Sequence, residues 1–249
     1  MLEFERTGEG PSLVLVHGIT ESHHTWDPLI SGLSENFDVV ALDLRGHGAS
    51  VMQPPYDLLT MTGDVHELVE FLDLQSPLMV GHSLGGTVVS AYGATYPCRG
   101  VINVDQSLQL SGFVEVLTPL KALLKGTTEE FESAMSVILD VLRGRLNDDE
   151  WRRIGCFRRL DQDVVLGIWS VVFETPPDEL DALGASVARA VTVPYLSLHG
   201  SGPGDHYAAW LTGLIPTCSV KVWEGDGHYP HLVEPDRFIS RVVDFHRAS

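Results

Sequence analysis

The 249-residue chain is poor in cysteine, poor in basic residues and free of long apolar runs. Its three cysteines, Cys98, Cys156 and Cys218, are widely spaced, and no Cys-x-x-Cys pair occurs. That argues against a disulfide framework and against the common thiolate metal sites, and it points to reduced thiols in a cytoplasmic protein. Lys and Arg together number 16 against 34 Asp and Glu, a formal net charge of −18. Such an acidic surface repels phosphate backbones and anionic lipid, so neither nucleic acid nor membrane is expected as a partner. No stretch approaches the roughly 18 apolar residues of a membrane span. Met1 to Gly10 is charged and has no apolar region of the kind a secretory signal carries. Neither an internal repeat nor a low-complexity tract interrupts the chain.

Hydrophobic residues make up 44% of the sequence, enough for a sizeable core in one large domain or one domain with an insertion. Short apolar runs recur at Ser12–His17, Phe37–Leu42, Pro77–Gly81, Gly100–Val104, Val193–His199 and Ser219–Trp223. They are too continuous for half-exposed strands and suit strands covered on both faces. Leu2 to Arg6 reads as a short edge strand. Helical stretches are expected at Trp26–Ser34, Thr60–Leu72, after Ser83 to about Tyr96, at His206–Leu214 and at Pro235–Arg247. In Thr60–Leu72 the residues Val65, Leu68, Val69 and Leu72 share one face. The alternation predicts an α/β fold, with a mostly parallel central sheet and helices on both faces. Between Leu108 and Ala190 the strand signal fades. Apolar residues there fall at helical intervals in Val114–Leu124, Phe131–Leu142, Trp151–Leu160 and Val164–Phe173, predicting three to five inserted helices. The expected division is a core of residues 1–107 and 191–249 with a helical cap of residues 108–190.

Ligands in such sheets bind beyond the carboxyl ends of the strands. The stretch Val80-Gly81-His82-Ser83-Leu84-Gly85-Gly86 sits at such an end. A Gly-x-Ser-x-Gly turn between strand and helix forces the serine into a strained conformation with its hydroxyl exposed. The helix that follows points its first N–H groups and its positive dipole end at the same space. A nucleophile and part of an oxyanion hole can thus come from one turn; a helix-capping serine in a glycine-rich connection is the plainer alternative.

Together with Leu15-Val16-His17-Gly18, Asp43-Leu44-Arg45-Gly46-His47-Gly48-Ala49-Ser50 and Gly227-His228-Tyr229-Pro230-His231, this turn makes the chain resemble the α/β-hydrolase fold superfamily. The resemblance runs from Ser12 to the C-terminus apart from the helical insert, which is similar to the cap that many members place over the pocket. It implies Ser83 as nucleophile, His228 as general base, and the N–H groups of Leu84 and Ile19 as oxyanion donors. His231, three residues beyond His228, is the rival base or a packing residue.

The acid that orients the base has two candidates. Asp105 ends the strand after the nucleophile helix. Asp205 follows Gly200-Ser201-Gly202-Pro203-Gly204, near the other place where members carry the acid. Both stay open, with Asp105 preferred because a rigid strand end would place it. Trp26, Leu108, Leu110, Phe113 and Trp169 are candidates for lining an apolar acyl pocket, core packing being the alternative for each. The Gly200–Gly204 stretch lacks the spacing of a dinucleotide loop, and His23-His24 and His228-x-x-His231 bring no further ligand, so no cofactor or metal is expected. The reading is a serine esterase or lactonase acting on a small molecule. C–C bond hydrolysis or perhydrolysis by the same residues, or a non-enzymatic ligand receptor, are the competing readings. Oligomeric state is left open.

Overall fold

The computed structural model describes residues 1–249, the side chain of Asp205 excepted. Among the described residues, seven strands form one sheet: β1 (Phe4–Thr7), β2 (Ser12–Val16), β3 (Asp38–Leu42), β4 (Leu78–His82), β5 (Gly100–Val104), β6 (Tyr195–His199) and β7 (Cys218–Val222). Their spatial order is β1-β3-β2-β4-β5-β6-β7. All neighbours are parallel except β1, which runs antiparallel to β3. The central strands β3, β4, β5 and β6 bury every residue, whereas β7 at one edge alternates between half-buried and exposed. The other edge, β1, is polar and is tied down by Arg6, whose guanidinium donates to both carboxylate oxygens of Asp38 at 2.9 and 2.7 Å. Polar or half-exposed edges of this kind discourage further strand pairing.

Alternation along the strands sorts the core into two layers. Val14, Val16, Val40 and Met79 face one way, onto Met61 and Val65 of α2 (Leu58–Phe71) and Val88 and Tyr92 of α3 (Leu84–Thr95). Leu13, Leu15, Val39 and Val80 face the other way. They meet Leu29 and Leu33 of α1 (Asp27–Ser34) and Phe238 and Val242 of the C-terminal helix Pro235–Ala248. Helix α2 starts where Asp57 caps it, accepting from the Thr60 N–H at 2.8 Å.

The insert holds six α-helices among the described residues, more than the expected three to five. They are α4 (Ser111–Leu117), α5 (Lys121–Leu124), α6 (Thr128–Arg143), α7 (Asp148–Phe157), α8 (Gln162–Glu174) and α9 (Pro177–Ala190). The stretch Val114–Leu124, read as one helix, is broken by a 3-10 turn at Thr118–Leu120, because Pro119 supplies no N–H to an α-helical ladder. Helix α9 escaped the periodicity because its buried face is Leu180, Ala185 and Ala188, and small residues carry little apolar signal. Each of α6, α7 and α8 opens on a side-chain cap: Thr127 with Glu130 in a capping box, Asn147, and Asp161. The insert has its own core around Phe131, Met135, Ile138, Val165 and Trp169, and Ile19 of the β2–α1 loop packs against it. The chain then closes with α10 (Asp205–Leu214), the short α11 (Pro230–Val233) and α12 (Pro235–Ala248). Among the described residues, no helix is long and apolar enough to cross a membrane.

Candidate active site

Ser83 lies between β4 and α3 with φ 52° and ψ −120°, a strained conformation for a residue with a side chain. The turn survives because its neighbours are glycines. A Cβ on Gly81 would overlap the Gly85 carbonyl, and one on Gly85 would overlap the Val16 carbonyl of the adjacent strand. The Ser83 N–H donates to the Val104 carbonyl at 3.0 Å, fixing the turn against β5. Leu84 is the first residue of α3, so its N–H has no acceptor within the helix.

Asp105 ends β5, and its backbone also takes a positive φ, 53°. Its N–H donates to the Leu198 carbonyl at 2.7 Å, holding the residue against the end of β6. One carboxylate oxygen, Oδ1, accepts the Gly200 N–H at 2.9 Å, and the other, Oδ2, accepts His228 Nδ1–H at 2.7 Å. The two side chains are 15 % and 13 % exposed, so the bond is largely shielded from water. Burial would push the Asp105 carboxyl up, but the His228 bond and charge, with the Gly200 N–H, outweigh it and hold the group below its usual value. With Nδ1 committed to Asp105, the free nitrogen of His228 is Nε2. His199 Nδ1 stands 3.8 Å from Asp105, beyond hydrogen-bond distance, while its Nε2 meets the Ser197 hydroxyl at 2.8 Å. Asp205, the alternative acid, lies outside the described residues at the level of its side chain.

His82, the residue before Ser83, donates from Nε2 to the His228 carbonyl at 2.9 Å and so ties the serine turn to the histidine loop. His231 is completely buried and packs between Trp26 and His82, at ring separations of 4.9 and 4.6 Å. Burial holds its imidazole well below the usual value, the behaviour of a neutral packing residue. Trp26, a candidate for the acyl pocket with core packing as the alternative, is fully buried in the core against Phe238 and His231. The 3-10 turn His23–Trp26 rotates it inward. Leu108 is also a core residue, 3 % exposed, in the layer that holds Ala188 and Tyr207. Leu110 is half-buried at the start of α4. Phe113 and Trp169 meet edge to face at 5.6 Å and share the insert's cluster with Ile19. The apolar core of the insert thus abuts the loop that carries the Ile19 N–H. The loop Asp43–Ser50 is scaffold: Asp43 accepts from the His23 N–H and His23 Nδ1, at 2.7 and 2.8 Å, and from the Ala49 N–H at 2.8 Å. No cluster of three or more His, Cys, Asp or Glu able to hold a metal occurs among the described residues.

Residues 13–241 match the sequence profile of the alpha/beta hydrolase family. The chain belongs to the alpha/beta hydrolase family. It is therefore a hydrolase by class. It is 27% identical to a pimeloyl-[acyl-carrier protein] methyl ester esterase of Nitrosospira multiformis, over 99% of this chain and 98% of that protein. It is 31% identical to the magnesium-chelatase 30 kDa subunit of Rhodobacter capsulatus, over 95% of this chain and 87% of that one. In fold it resembles the enol-lactonase of Burkholderia xenovorans, with a TM-score of 0.71 at 22% identity, covering 98% and 95% of the two chains. Sequence reasoning had missed the Gly200 N–H that steadies Asp105, the His82 tie, and a buried carboxylate, Glu21, in the loop of Ile19. A carboxylate three positions after a His-Gly pair carries no signal of its own, because its partners come from distant loops.

Proposed function

We propose that this hydrolase cleaves a carboxylic ester or lactone through an acyl-enzyme on Ser83. The observation that carries the reading is the shielded 2.7 Å bond between His228 and Asp105, on a loop tied to the strained Ser83 turn. In the first half-reaction Ser83 Oγ attacks the acyl carbon while His228 Nε2 takes its proton. The carbonyl electrons move onto oxygen, where the N–H groups of Leu84 and Ile19 stabilise the charge. The tetrahedral species collapses, the bond to the leaving oxygen breaks, and His228 returns the proton to that oxygen. A water then repeats the sequence on the acyl-enzyme, releasing the acid and restoring Ser83. Asp105 holds Nδ1–H throughout and stabilises the imidazolium.

Residues 108–190 form the cap in this reading. Phe113 and Trp169, beside Ile19, supply an apolar wall for the acyl group. The small-molecule substrate needs no cofactor for this chemistry. The free thiols of Cys98, Cys156 and Cys218 suit a cytoplasmic setting. Likeness to a methyl ester esterase supports an oxygen ester as substrate. The test is labelling by a fluorophosphonate, with turnover of a series of chromogenic esters and lactones. Modification mapped to Ser83 together with ester turnover is the expected result; no labelling and no turnover would leave a ligand receptor on a hydrolase fold.

A further inference from the structure

Glu21 is 2 % exposed and belongs to none of the motifs above. Its carboxylate nevertheless reaches the loops of Ile19 and His228 and stands beside the Ser83 turn. Oε2 accepts the Gly18 N–H at 3.2 Å and the Thr25 hydroxyl at 3.1 Å, both within its own loop. Oε1 accepts the Tyr229 hydroxyl at 2.7 Å. His82 Nδ1 faces Oε2 at 3.5 Å, longer than a good hydrogen bond. Three of the four neighbours, Thr25 excepted, are one residue from a group assigned to the chemistry: Gly18 precedes Ile19, His82 precedes Ser83, and Tyr229 follows His228. The approach is close, since a Cβ on Gly18 would stand 3.1 Å from His82 Nδ1 and 3.2 Å from the Glu21 carboxylate.

We propose that Glu21 is a positioning residue whose buried carboxylate holds the Ile19 loop, the Ser83 turn and the His228 loop in register with one another. The inference rests on the assignment of Ser83, His228 and the two N–H donors made above. A buried carboxylate is expensive unless its oxygens are fully engaged. Here three hydrogen bonds, from Gly18, Thr25 and Tyr229, engage it from two loops, and His82 of the Ser83 turn stands 3.5 Å away. Burial opposes its ionisation, but His82, the Tyr229 hydroxyl and the Arg158 charge outweigh that and keep the group well below the usual carboxylate range. Misplacing a donor or a base by about 1 Å lowers a rate by about 10²-fold, so a shared anchor acts on turnover rather than on binding.

The test compares wild type with Glu21→Ala, Glu21→Gln, Tyr229→Phe and the Glu21→Ala/Tyr229→Phe double variant, all as the full chain. A short-chain chromogenic ester supplies kcat and KM, and a fluorophosphonate supplies the rate of Ser83 modification. Glu21→Ala should lose about 10²-fold in kcat and in labelling rate with KM within about threefold, as expected when one oxyanion donor is lost. Glu21→Gln keeps an acceptor for Gly18 and should recover part of the loss; Tyr229→Phe should lose about tenfold. The double variant should be no worse than Glu21→Ala, because both substitutions cut the same tie. Additive losses, or a raised KM at unchanged kcat, would overturn the inference. Should Glu21→Ala fail to fold, wild-type kcat in both Glu21→Gln and Tyr229→Phe would overturn it as well. Wild type that does not label at Ser83 sinks the reading of the site and this inference with it. Labelled wild type with an equally fast Glu21 variant sinks this inference alone.

Discussion

Asp105→Asn puts the tautomer of His228 to the test. Asp105 uses both oxygens as acceptors, Oδ1 for the Gly200 N–H and Oδ2 for His228 Nδ1–H. Asparagine offers one acceptor and one donor. If its oxygen keeps Gly200, its NH2 faces His228 Nδ1, and the ring must place its proton on Nε2 to accept that bond. Nε2 is the nitrogen that has to receive the Ser83 proton, so the base is lost. If the amide flips, its NH2 meets the Gly200 N–H head on, two donors with no acceptor between them. The first arrangement disables the base, and the second keeps its tautomer only by setting two donors against each other at Gly200; both preserve volume. The backbone tolerates the change, since asparagine is among the residues most often found at positive φ, here 53°.

The expected loss is about 10⁴-fold in kcat, or about 5.5 kcal/mol of transition-state stabilisation. KM should change little. Stopped or continuous turnover of a chromogenic ester gives the number, and a melting curve checks that the variant is folded. Asp205→Asn is the matched comparison and should lose less than about tenfold, as for a substitution at a helix start. A near-normal kcat for Asp105→Asn, or a loss in Asp205→Asn of the same order, would refute the tautomer argument.

Ser83→Ala should abolish turnover and fluorophosphonate labelling with a melting temperature near wild type, because alanine enters the strained turn as readily as serine; surviving turnover would remove the nucleophile from the mechanism. Phe113→Ala should change the ratio of kcat/KM between short and long acyl chains by about tenfold, the scale on which apolar pockets discriminate; an equal effect along a chain-length series would show that this side chain does not shape the acyl wall. Acid should destabilise the fold from about pH 6.5 downward. His47 is 1 % exposed, and burial together with repulsion by His17 lowers its imidazole to about 3. The unfolded chain takes a proton near pH 6.5 that the folded chain refuses, so stability is complete above that pH and falls by about 1.4 kcal/mol per unit as pH drops toward 3. His47→Gln should remove about 2 kcal/mol of the loss between pH 6.5 and 5 in denaturant titrations; an unchanged pH slope would contradict the assignment.

What the sequence made legible is what local physics dictates. A continuous apolar run followed by Gly81-His82-Ser83-Leu84-Gly85 leaves few foldings, because each glycine sits where a Cβ would strike backbone. The strand pattern was readable as continuous apolar runs, because burial on both faces leaves few polar residues in the strands from β2 to β6. The acid was only half legible. Two aspartates lay at strand or helix ends, and nothing local says which carboxylate reaches a histidine 123 residues further on. For Trp26 the sequence left pocket lining and core packing open, and the 3-10 turn His23–Trp26 places it in the core. Glu21 was invisible, since its shortest hydrogen bond runs to Tyr229, 208 positions away.

The insert divides its work by the way it is fastened. Its α6–α7 side is bonded to the loops that carry the proposed donor Ile19 and the proposed base His228. The Arg159 N–H donates to the Thr20 carbonyl at 2.9 Å, and Arg153 donates to the Thr25 carbonyl at 3.2 Å, both in the Ile19 loop. Arg145 meets Asp226 at 3.3 Å on the His228 loop, and Gly144 at the end of α6 packs against Gly227. The α4–α5 side is fastened chiefly to the insert itself, through Ser111 with Asp181 and Lys121 with the Phe173 carbonyl. A substitution on the first side disturbs loops that set the reacting geometry and should register in kcat. A substitution on the second side, where Phe113 faces Trp169, changes the apolar wall without touching those ties and should register in the choice of acyl group. That separation follows from where the hydrogen bonds run, and it lets one inserted segment support the chemistry on one side while its other side remains free to vary.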